Sequence, residues 1–268
     1  MSSSVPPALR RSQMLERIRR EGGVTVTELA RAHGVSSVTV HRDLAELASE
    51  GLIERVHGGA RTVDGDGVQR IETDWDKRLR QSWVAKEAMA GRAASLVADN
   101  ATVFVDASST CLAVALALAD SGLGPLTLVT NSPAIAFELS ADQIHVVMVP
   151  GEVDQHMRLI AGRWAIEFLS GLNIDIAFLS AAGVTLEQGL TTSRRPLADV
   201  VNAARAVAGR SVALMDSSKF GRSSLLTICR PEELDLLIVD VGLAPEELAR
   251  YRRAGVSIEV AAEPVSTT

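Results

Sequence analysis

Aromatic side chains are scarce in this chain, at 3% of its 268 residues, so the core has to be packed from Ala, Val, Leu and Ile. Such a composition suits an α/β architecture. Cysteine is scarcer still: Cys111 and Cys229 lie far apart in apolar surroundings, and no metal-ligand spacing is found near them. We therefore expect two buried free thiols, no bound metal and no cofactor.

Long hydrophobic runs are also missing, since no stretch approaches the roughly 18 apolar residues that a membrane span requires. The first residues, Met1–Pro7, lack the charged and apolar regions of a signal peptide. We therefore expect a cytoplasmic protein without a membrane partner.

Positive charge is limited and unevenly placed. The net charge of −6 would disfavour a nucleic-acid partner, but residues 1–63 carry nine arginines against seven carboxylates, a net of +2, which leaves −8 for the remainder. The length fits two domains. A slightly basic head on an acidic body favours DNA contact by one domain only.

Residues 34–51 have the pattern of a helix that reads DNA. Ser36 is a natural N-cap, and Val40, Leu44 and Leu47 recur with the spacing of one buried helical face. The opposite face of the first two turns offers hydrogen-bonding side chains without a carboxylate, namely Ser37, Thr39, His41 and Arg42. Spacing alone leaves a small helical bundle with a solvated face as the alternative.

The flanking segments complete a winged helix-turn-helix. We expect helices at 10–21 and 28–33, a short strand at 24–26, and Thr27 as the cap of the second helix. After Gly51, a strand pattern runs into His57, Gly58 and Gly59, and a glycine pair would let the tip of a wing approach a phosphate backbone. We therefore add His57 and Gly58 to the DNA-contact candidates.

Two further expectations concern the end of this domain. DNA would repel a carboxylate, so Asp43 is predicted to hold Arg42 or a helix cap. The stretch Thr62–Arg70 has almost no apolar content and is predicted to belong to a linker. The predicted organisation is a DNA-binding domain at 1–61, a linker at 62–82 and an α/β domain at 83–268.

In the body of the chain, short β-branched strands alternate with amphipathic helices, which predicts a largely parallel sheet covered on both faces. The strands are expected at 102–105, 126–129, 145–149, 174–179, 212–215, 236–239 and, as an edge strand, 256–260. Five of them run into polar residues, namely Asp106, Thr130 with Asn131, Ser180, Asp216 and Asp240. Ligands of open α/β sheets bind at these carboxyl ends, so the pattern predicts a polar pocket.

Three short stretches would suit an anionic sugar ligand. Ser108, Ser109 and Thr110 lead into a helix N-terminus. Thr191 and Thr192 belong to a hydroxyl-rich loop at 189–192, and Lys219, one of only three lysines against 24 arginines, follows Asp216. Taken singly, each has a plainer explanation: helix-capping serines, an aspartate that orders its own loop, a solvated lysine.

Dense strings of residues resemble DeoR-type bacterial transcriptional regulators, over about residues 10–242. The N-terminal strings occupy 28–30, 34–36, 39–44 and 51–60, and the C-terminal ones Asp106–Thr110, Val129–Ser132, Gly189–Thr192 and Asp216–Gly221, of which the last is the most specific. The resemblance implies a sensor domain of the ribose-5-phosphate isomerase or CoA-transferase type, which binds a phosphorylated sugar or related metabolite and releases or retunes DNA. The ligand-binding residues expected on this basis are Asp106, Ser108, Ser109, Thr110, Thr130, Asn131, Gly151, Gly183, Gly189, Thr191, Thr192 and Lys219.

The sequence departs from the family pattern at three places. His41 stands where the first of two arginines is usual, and histidine cannot make the bidentate guanine contact of arginine. Pro150 precedes Gly151 where two glycines are usual, and Ser109 replaces the glycine of a Ser-Gly pair. We therefore expect an altered base preference at His41, and neither the operator nor the effector of relatives can be transferred to this chain.

We predict a DNA-binding regulator, and specifically a repressor of a sugar or polyol catabolic operon. It would act as a homodimer or homotetramer on a double-stranded operator, since one winged helix buries too little surface to select a genomic site. An isomerase with an appended DNA-binding domain is the alternative, although the stretch after the strand at 174–179 contains no acid or base. A DNA binder whose body only dimerises is a third hypothesis.

Overall fold

The computed structural model describes residues 5–56, 58–62, 74–139 and 142–262. His57 and most of the predicted linker, 63–73, therefore lie outside the described residues. The chain divides into two compact units between Arg80 and Gln81, and each has its own arrangement of helices and strands.

The first unit is a winged helix-turn-helix, as predicted. Its elements are α1 (Pro7–Glu21), β1 (Gly23–Thr25), α2 (Val26–His33), α3 (Ser37–Ser49), β2 (Glu54–Val56), β3 (Gly59–Arg61) and α4 (Asp74–Arg80). The three strands form one antiparallel sheet in the order β1-β3-β2, so the wing hairpin pairs with the strand between the first two helices. Met14, Ile18, Leu29, Val40 and Leu44 are fully buried at the centre of this unit.

The cap of α2 is Thr25, and the prediction of Thr27 was wrong. The Thr25 hydroxyl accepts a hydrogen bond from the Glu28 backbone N–H, while the Glu28 carboxylate accepts from the Thr25 N–H at 2.9 Å. The Thr-x-x-Glu spacing of a capping box therefore sets the start of the helix two residues earlier. The Glu28 carboxylate accepts from both the Thr25 N–H and, at 2.7 Å, the Thr25 hydroxyl, and these two hydrogen bonds lower the pKa of Glu28.

Asp43 pairs with neither Arg42 nor a helix end, which corrects the prediction. It is almost fully buried, and its two oxygens accept from Arg10 of α1, Nε at 2.6 Å and Nη2 at 3.2 Å. A fork of two parallel hydrogen bonds between buried ions holds α1 against α3. The Asp43 carboxylate of α3 is thereby turned inward.

The stretch predicted as a linker contains the helix α4. Trp75 and Leu79 are buried in it, and Arg80 donates to the Ser12 hydroxyl of α1 at 2.7 Å. Because these two apolar side chains are four residues apart, they lie on the same face of the short helix, and that face is buried.

The second unit is the larger α/β body. Its helices are α5 (Trp83–Ala94), α6 (Ser109–Asp120), α7 (Pro133–Glu138), α8 (Arg163–Ser170), α9 (Arg195–Ala206) and α10 (Pro245–Arg253). Its strands are β4 (Thr102–Val105), β5 (Leu126–Thr130), β6 (Ile144–Met148), β7 (Glu152–Asp154), β8 (Leu159–Ala161), β9 (Ile174–Leu179), β10 (Gly183–Thr185), β11 (Gly189–Thr192), β12 (Ala208–Leu214), β13 (Leu226–Cys229), β14 (Leu236–Val239) and β15 (Ile258–Val260).

Seven strands form one parallel sheet in the order β15-β14-β12-β9-β4-β5-β6, which confirms the predicted architecture. Helices α5 and α6 pack together and against its central strands, and α8 and α9 form a second layer. Phe104 and Phe178 are fully buried. The sheet is thus covered on both faces, as a run of apolar parallel strands requires.

Two smaller sheets were not predicted. β7 and β8 pair as a hairpin, and β10-β11-β13 form an antiparallel sheet that includes Gly189–Thr192. The prediction of a loop at 189–192 was therefore wrong, because this stretch is the strand β11 and two antiparallel strands, β10 and β13, provide its backbone partners. Cys111 and Cys229 are buried free thiols, as expected, and burial raises the pKa of Cys229 to about 11.

Within the described part of the chain, no helix is long and apolar enough to cross a bilayer. The same residues contain no cluster of three histidine, cysteine or acidic side chains placed to hold a metal.

Candidate functional sites

The first two turns of α3 present an exposed polar surface. Ser36 caps the helix through the Thr39 N–H at 3.2 Å, which fixes where the helix begins. Ser37, His41 and Arg42 are exposed and Thr39 is half-buried, while Val40 and Leu44 on the other face are fully buried. An amphipathic helix with this orientation can be inserted into a groove without losing its core contacts.

Two residues of this surface were missed from the sequence. Arg55 of β2 donates from Nη2 to His41 Nδ1 at 3.2 Å, which ties the wing to the helix. A guanidinium only donates, so Nδ1 accepts, and the neutral His41 ring carries its proton on Nε2. Val38, four positions before Arg42, is 75% exposed and could contact a thymine methyl group. The i, i+4 spacing was the available signal for Val38, whereas nothing in the pattern indicated the Arg55 contact.

The glycines of the wing differ in their surroundings. Gly58 is exposed with a positive φ of 82°, and its carbonyl accepts from the Val26 N–H at 2.8 Å. Gly59 is buried, and a Cβ there would collide with the Val24 carbonyl of β1. Gly59 is therefore required by packing inside the unit rather than by an approach to DNA.

At the carboxyl edge of the large sheet, the polar endings of neighbouring strands are joined by hydrogen bonds. Asp106, fully buried after β4, accepts from the Ser108 N–H at 2.7 Å and from the Ser180 N–H at 2.8 Å. Lys219, in the 3-10 turn after β12, donates to the Ser180 hydroxyl at 2.8 Å and lies 3.7 Å from Asp216. The first and third predicted stretches are thus brought together across β9.

Ser180 is the residue that joins them. Its hydroxyl hydrogen is donated to the Leu214 carbonyl at 2.8 Å, so its oxygen accepts the hydrogen bond from Lys219. It was predicted as a polar strand ending but not as a binding residue. Asp240 in turn receives hydrogen bonds from Ser217, beside Lys219.

Several predicted binding residues use their polar atoms within the fold. Ser108 caps α6 through the Cys111 N–H, and Thr130 donates to the Val105 carbonyl at 2.9 Å. Thr191 donates to the Gly183 carbonyl at 3.2 Å, and Thr192 accepts from the Arg194 N–H. Ser109 is buried at the start of α6. These contacts order the edge of the sheet.

The three predicted glycines lie against backbone. A Cβ at Gly151 would collide with the Ala161 carbonyl, one at Gly183 with the Arg222 carbonyl, and one at Gly189 with the Cys229 carbonyl. Their identity is therefore explained by the close approach of a second segment of the chain.

Two atoms at this edge stand out because they are buried without a hydrogen-bond partner among the described residues. They are Oγ1 of Thr110, in the first turn of α6, and Oδ1 of Asn131, directly after β5. The Asn131 side chain is otherwise used, since Nδ2 donates to the Ile160 carbonyl of β8 at 3.1 Å.

Comparison with known proteins assigns both halves of the chain. The family described as "DeoR C terminal sensor domain" matches residues 82–241, and the "DeoR-like helix-turn-helix domain" matches residues 10–65. The likeness to solved structures is lower: ribose 5-phosphate isomerase A from Methanocaldococcus jannaschii has a TM-score of 0.38 and 19% identity, over 50% of this chain and 53% of that one. A similarity with such a low TM-score does not indicate a shared activity.

Relatives of known name match nearly the full length. The chain is 34% identical to the HTH-type transcriptional regulator GlpR of Haloferax volcanii, over 94% of this chain and 97% of the relative. It is 31% identical to the regulator GolR of Listeria innocua, over 95% and 99% respectively. It is 32% identical to the transcriptional repressor AccR of Agrobacterium fabrum, over 87% and 89%. With one family match covering more than half of its length, this chain belongs to the DeoR family of DNA-binding transcriptional regulators.

Proposed function

We propose that this regulator represses a sugar or polyol catabolic operon, and that a phosphorylated sugar-type metabolite controls it. Relatives are named as transcriptional regulators or, for AccR, as a repressor, and the C-terminal match is to a sensor domain. The observation that carries the proposal is the exposed polar surface of α3 in one unit together with a buried polar sheet edge in the other.

The DNA contacts are assigned to the first unit. Ser37, Thr39, His41 and Arg42 would meet base edges and phosphates in the major groove, with His57 and Gly58 of the wing on the backbone. The neutral His41 ring would offer one donor, Nε2–H, where arginine offers a fork of two, so a base edge with a major-groove acceptor is expected at that position.

The effector is assigned to the carboxyl edge of the parallel sheet. The residues proposed around it are Asp106, Ser108, Ser109, Thr110, Thr130, Asn131, Gly151, Gly183, Gly189, Thr191, Thr192 and Lys219. The ammonium of Lys219 would attract an anionic group, and the hydrogen-bonded chain through Ser180 and Asp106 holds this part of the edge in place.

In the proposed mechanism, residues 1–61 read DNA and residues 83–268 bind the effector and associate with other copies of the chain. Residues 62–82 connect these two domains. A homodimer or homotetramer would place two reading heads on repeated half-sites of a double-stranded operator in the cytoplasm. The effector acts by favouring one packing of the bodies over another, which requires a difference in its affinity for the two.

An isomerase is the second candidate, and the geometry disfavours it. The loop after β9 runs Ser180, Ala181, Ala182 without an acid or base. Asp106 accepts backbone hydrogen bonds with both oxygens, which leaves it poorly placed to shuttle a proton. Purified protein should therefore leave ribose 5-phosphate unchanged, and turnover would contradict the proposal.

The DNA assignment is tested by selecting operator sites from a random duplex library. We expect a repeated half-site, and Arg42→Ala should bind it about 10–100-fold more weakly at an unchanged melting temperature, because the exposed guanidinium contributes to DNA binding and not to the core. Arg163→Ala, at an exposed position of α8 in the other unit, is the control. Equal operator affinity of Arg42→Ala and the parent would contradict the assignment.

A further inference from the structure

The wing brings one arginine to the polar surface of α3. Arg55 of β2 is paired in register with Ala60 of β3, which is buried in the core of this unit, so the two side chains lie on the face turned toward the helices. The preceding residue, Glu54, has its side chain on the other face, where it accepts from Arg61 at 2.7 Å. The alternation of the strand therefore places the Arg55 side chain beside α3.

Arg55 is tied to His41 and to no acidic group. Its Nη2 lies 3.2 Å from Nδ1 of the imidazole ring, and both side chains are exposed. Among the described residues, no carboxylate pairs with Arg55, and the two carboxylates of α3, Asp43 and Glu46, are both held by arginines of α1. The imidazole is therefore the group that fixes this guanidinium in the protein.

This hydrogen bond decides what the imidazole can offer to DNA. A guanidinium has no acceptor, so Nδ1 must accept and the ring proton stays on Nε2. Without a donor at Nδ1, the ring could carry its proton there, and Nε2 would then be an acceptor. The same histidine can thus contact either an acceptor or a donor of a base, and Arg55 selects the acceptor.

The two forms of the ring suit different bases in the major groove. Guanine presents two acceptors, N7 and O6, whereas cytosine presents only the donor of its N4 amino group. A proton fixed on Nε2 can be donated to guanine, but it would face another donor at cytosine. Two opposed donors lose their hydrogen bonds to water without gaining a new one, which weakens binding of that base.

We propose that Arg55 is a positioning residue for base readout, which holds His41 as a hydrogen-bond donor and thereby excludes cytosine from the base that His41 contacts. The proposal rests on the assignment of His41 to the DNA-binding surface and deepens it. It gives a residue of the wing a part in base selection that requires no contact between the wing and a base.

The first measurement is a base-substitution scan of the operator selected by the full chain. The position contacted by His41 is the one at which His41→Ala loses its preference, and there the parent should favour guanine over cytosine by about tenfold or more. We expect Arg55→Met to reduce this ratio to about threefold or less, whereas the lost charge weakens binding to all operators alike. An undiminished ratio in Arg55→Met, or a preference of the parent for cytosine, overturns the proposal.

The scan also separates this proposal from the one on which it rests. If His41→Ala changes the preference at no position, the DNA contact assigned to His41 fails, and the role of Arg55 fails with it. If one position depends on His41 but not on Arg55, only the role of Arg55 fails.

Two further variants distinguish positioning from direct contact. In the His41→Ala background, Arg55→Met should leave the ratio of guanine to cytosine unchanged, because Arg55 acts through the ring. A further change in that background would show that Arg55 contacts the base itself, which contradicts the proposal. Arg61→Met removes an equal charge from the opposite face of the wing and should keep the ratio of the parent. Loss of the ratio in Arg61→Met would attribute the effect to charge alone and also contradict the proposal.

The second measurement needs no DNA. In the full chain with 15N-labelled histidines, NMR at about pH 8, above the usual pKa of histidine, reports which ring nitrogen carries the proton. The His41 signals are those missing from His41→Ala. We expect the proton on Nε2 in the parent and a larger fraction on Nδ1 in Arg55→Met. A proton on Nδ1 in the parent, or equal fractions in the two proteins, would overturn the proposal whatever the operator scan shows.

Discussion

At the scale of the residue, the contact between Arg10 and Asp43 is the most consequential in the first unit. Both side chains are buried, and the carboxylate makes two hydrogen bonds to the guanidinium. Replacing one partner leaves the other charge in the core, so Asp43→Ala should lower the free energy of unfolding by about 3–5 kcal/mol in urea denaturation.

The matched control is the exposed pair of Arg163 and Glu167, in which Glu167→Gln should cost at most about 1 kcal/mol. Equal effects of the two substitutions would mean that Arg10 is not left as an uncompensated buried charge in the Asp43→Ala variant. The contrast therefore separates burial from ion pairing as the source of the stabilisation.

Residue roles could be predicted from the sequence where they depended on local pattern. The exposed positions of α3 followed from helical spacing, and buried thiols followed from apolar surroundings. The partner of Asp43 could not be predicted, because Arg10 lies 33 positions away and only the packing of α1 on α3 brings them together. For the same reason the contact between His41 and Arg55 was not foreseen.

At the scale of the element, the start of α2 depends on its capping box. Thr25→Ala removes the side-chain acceptor for the Glu28 N–H and should destabilise the protein by about 1 kcal/mol in thermal unfolding. Thr27→Ala, inside the helix and exposed, should change stability by less than about 0.5 kcal/mol. The reverse ranking would show that the helix begins at Thr27 after all.

The end of α2 carries a pH dependence through His33. Burial lowers the pKa of His33, and the charges of Arg10 and Arg17 lower it further, against a smaller opposing effect of Asp43. The unfolded chain therefore takes up a proton near pH 6.5 while the folded protein does not, so this contribution is complete above pH 6.5 and is lost as pH falls below it. His33→Gln should flatten the loss of stability between pH 7 and 5 measured by urea denaturation, and an unchanged slope would contradict the assignment.

Most large elements could be predicted from periodicity, including β4, β9 and β14, whose bounds agree with the sequence pattern. Short elements could not. Gly189–Thr192 has hydroxyls and a glycine typical of loops, yet β10 and β13 supply its hydrogen bonds as β11. Likewise, the helix α4 in the predicted linker could not be predicted, because it depends on the burial of Trp75 and Leu79 in the folded unit.

At the scale of the whole molecule, we propose that the polar face of α3 in one unit reads DNA and that the carboxyl edge of the parallel sheet in the other unit binds the effector. The family, the winged helix-turn-helix and the parallel sheet could all be predicted, because each is marked by dense residue strings or repeated strands. The hydrogen bond from the Asn131 amide to the Ile160 carbonyl could not, since it joins residues 29 positions apart.

The most direct test of the account is a titration of the selected operator with the full chain, with and without a saturating sugar monophosphate. Allosteric coupling of about 1–3 kcal/mol predicts that operator affinity falls by roughly 5–150-fold when the effector is bound. The account also predicts that Thr110→Val needs more effector for the same fall. An operator affinity that does not change at saturating concentrations of a bound effector would contradict the claim that effector binding at the sheet edge controls DNA binding.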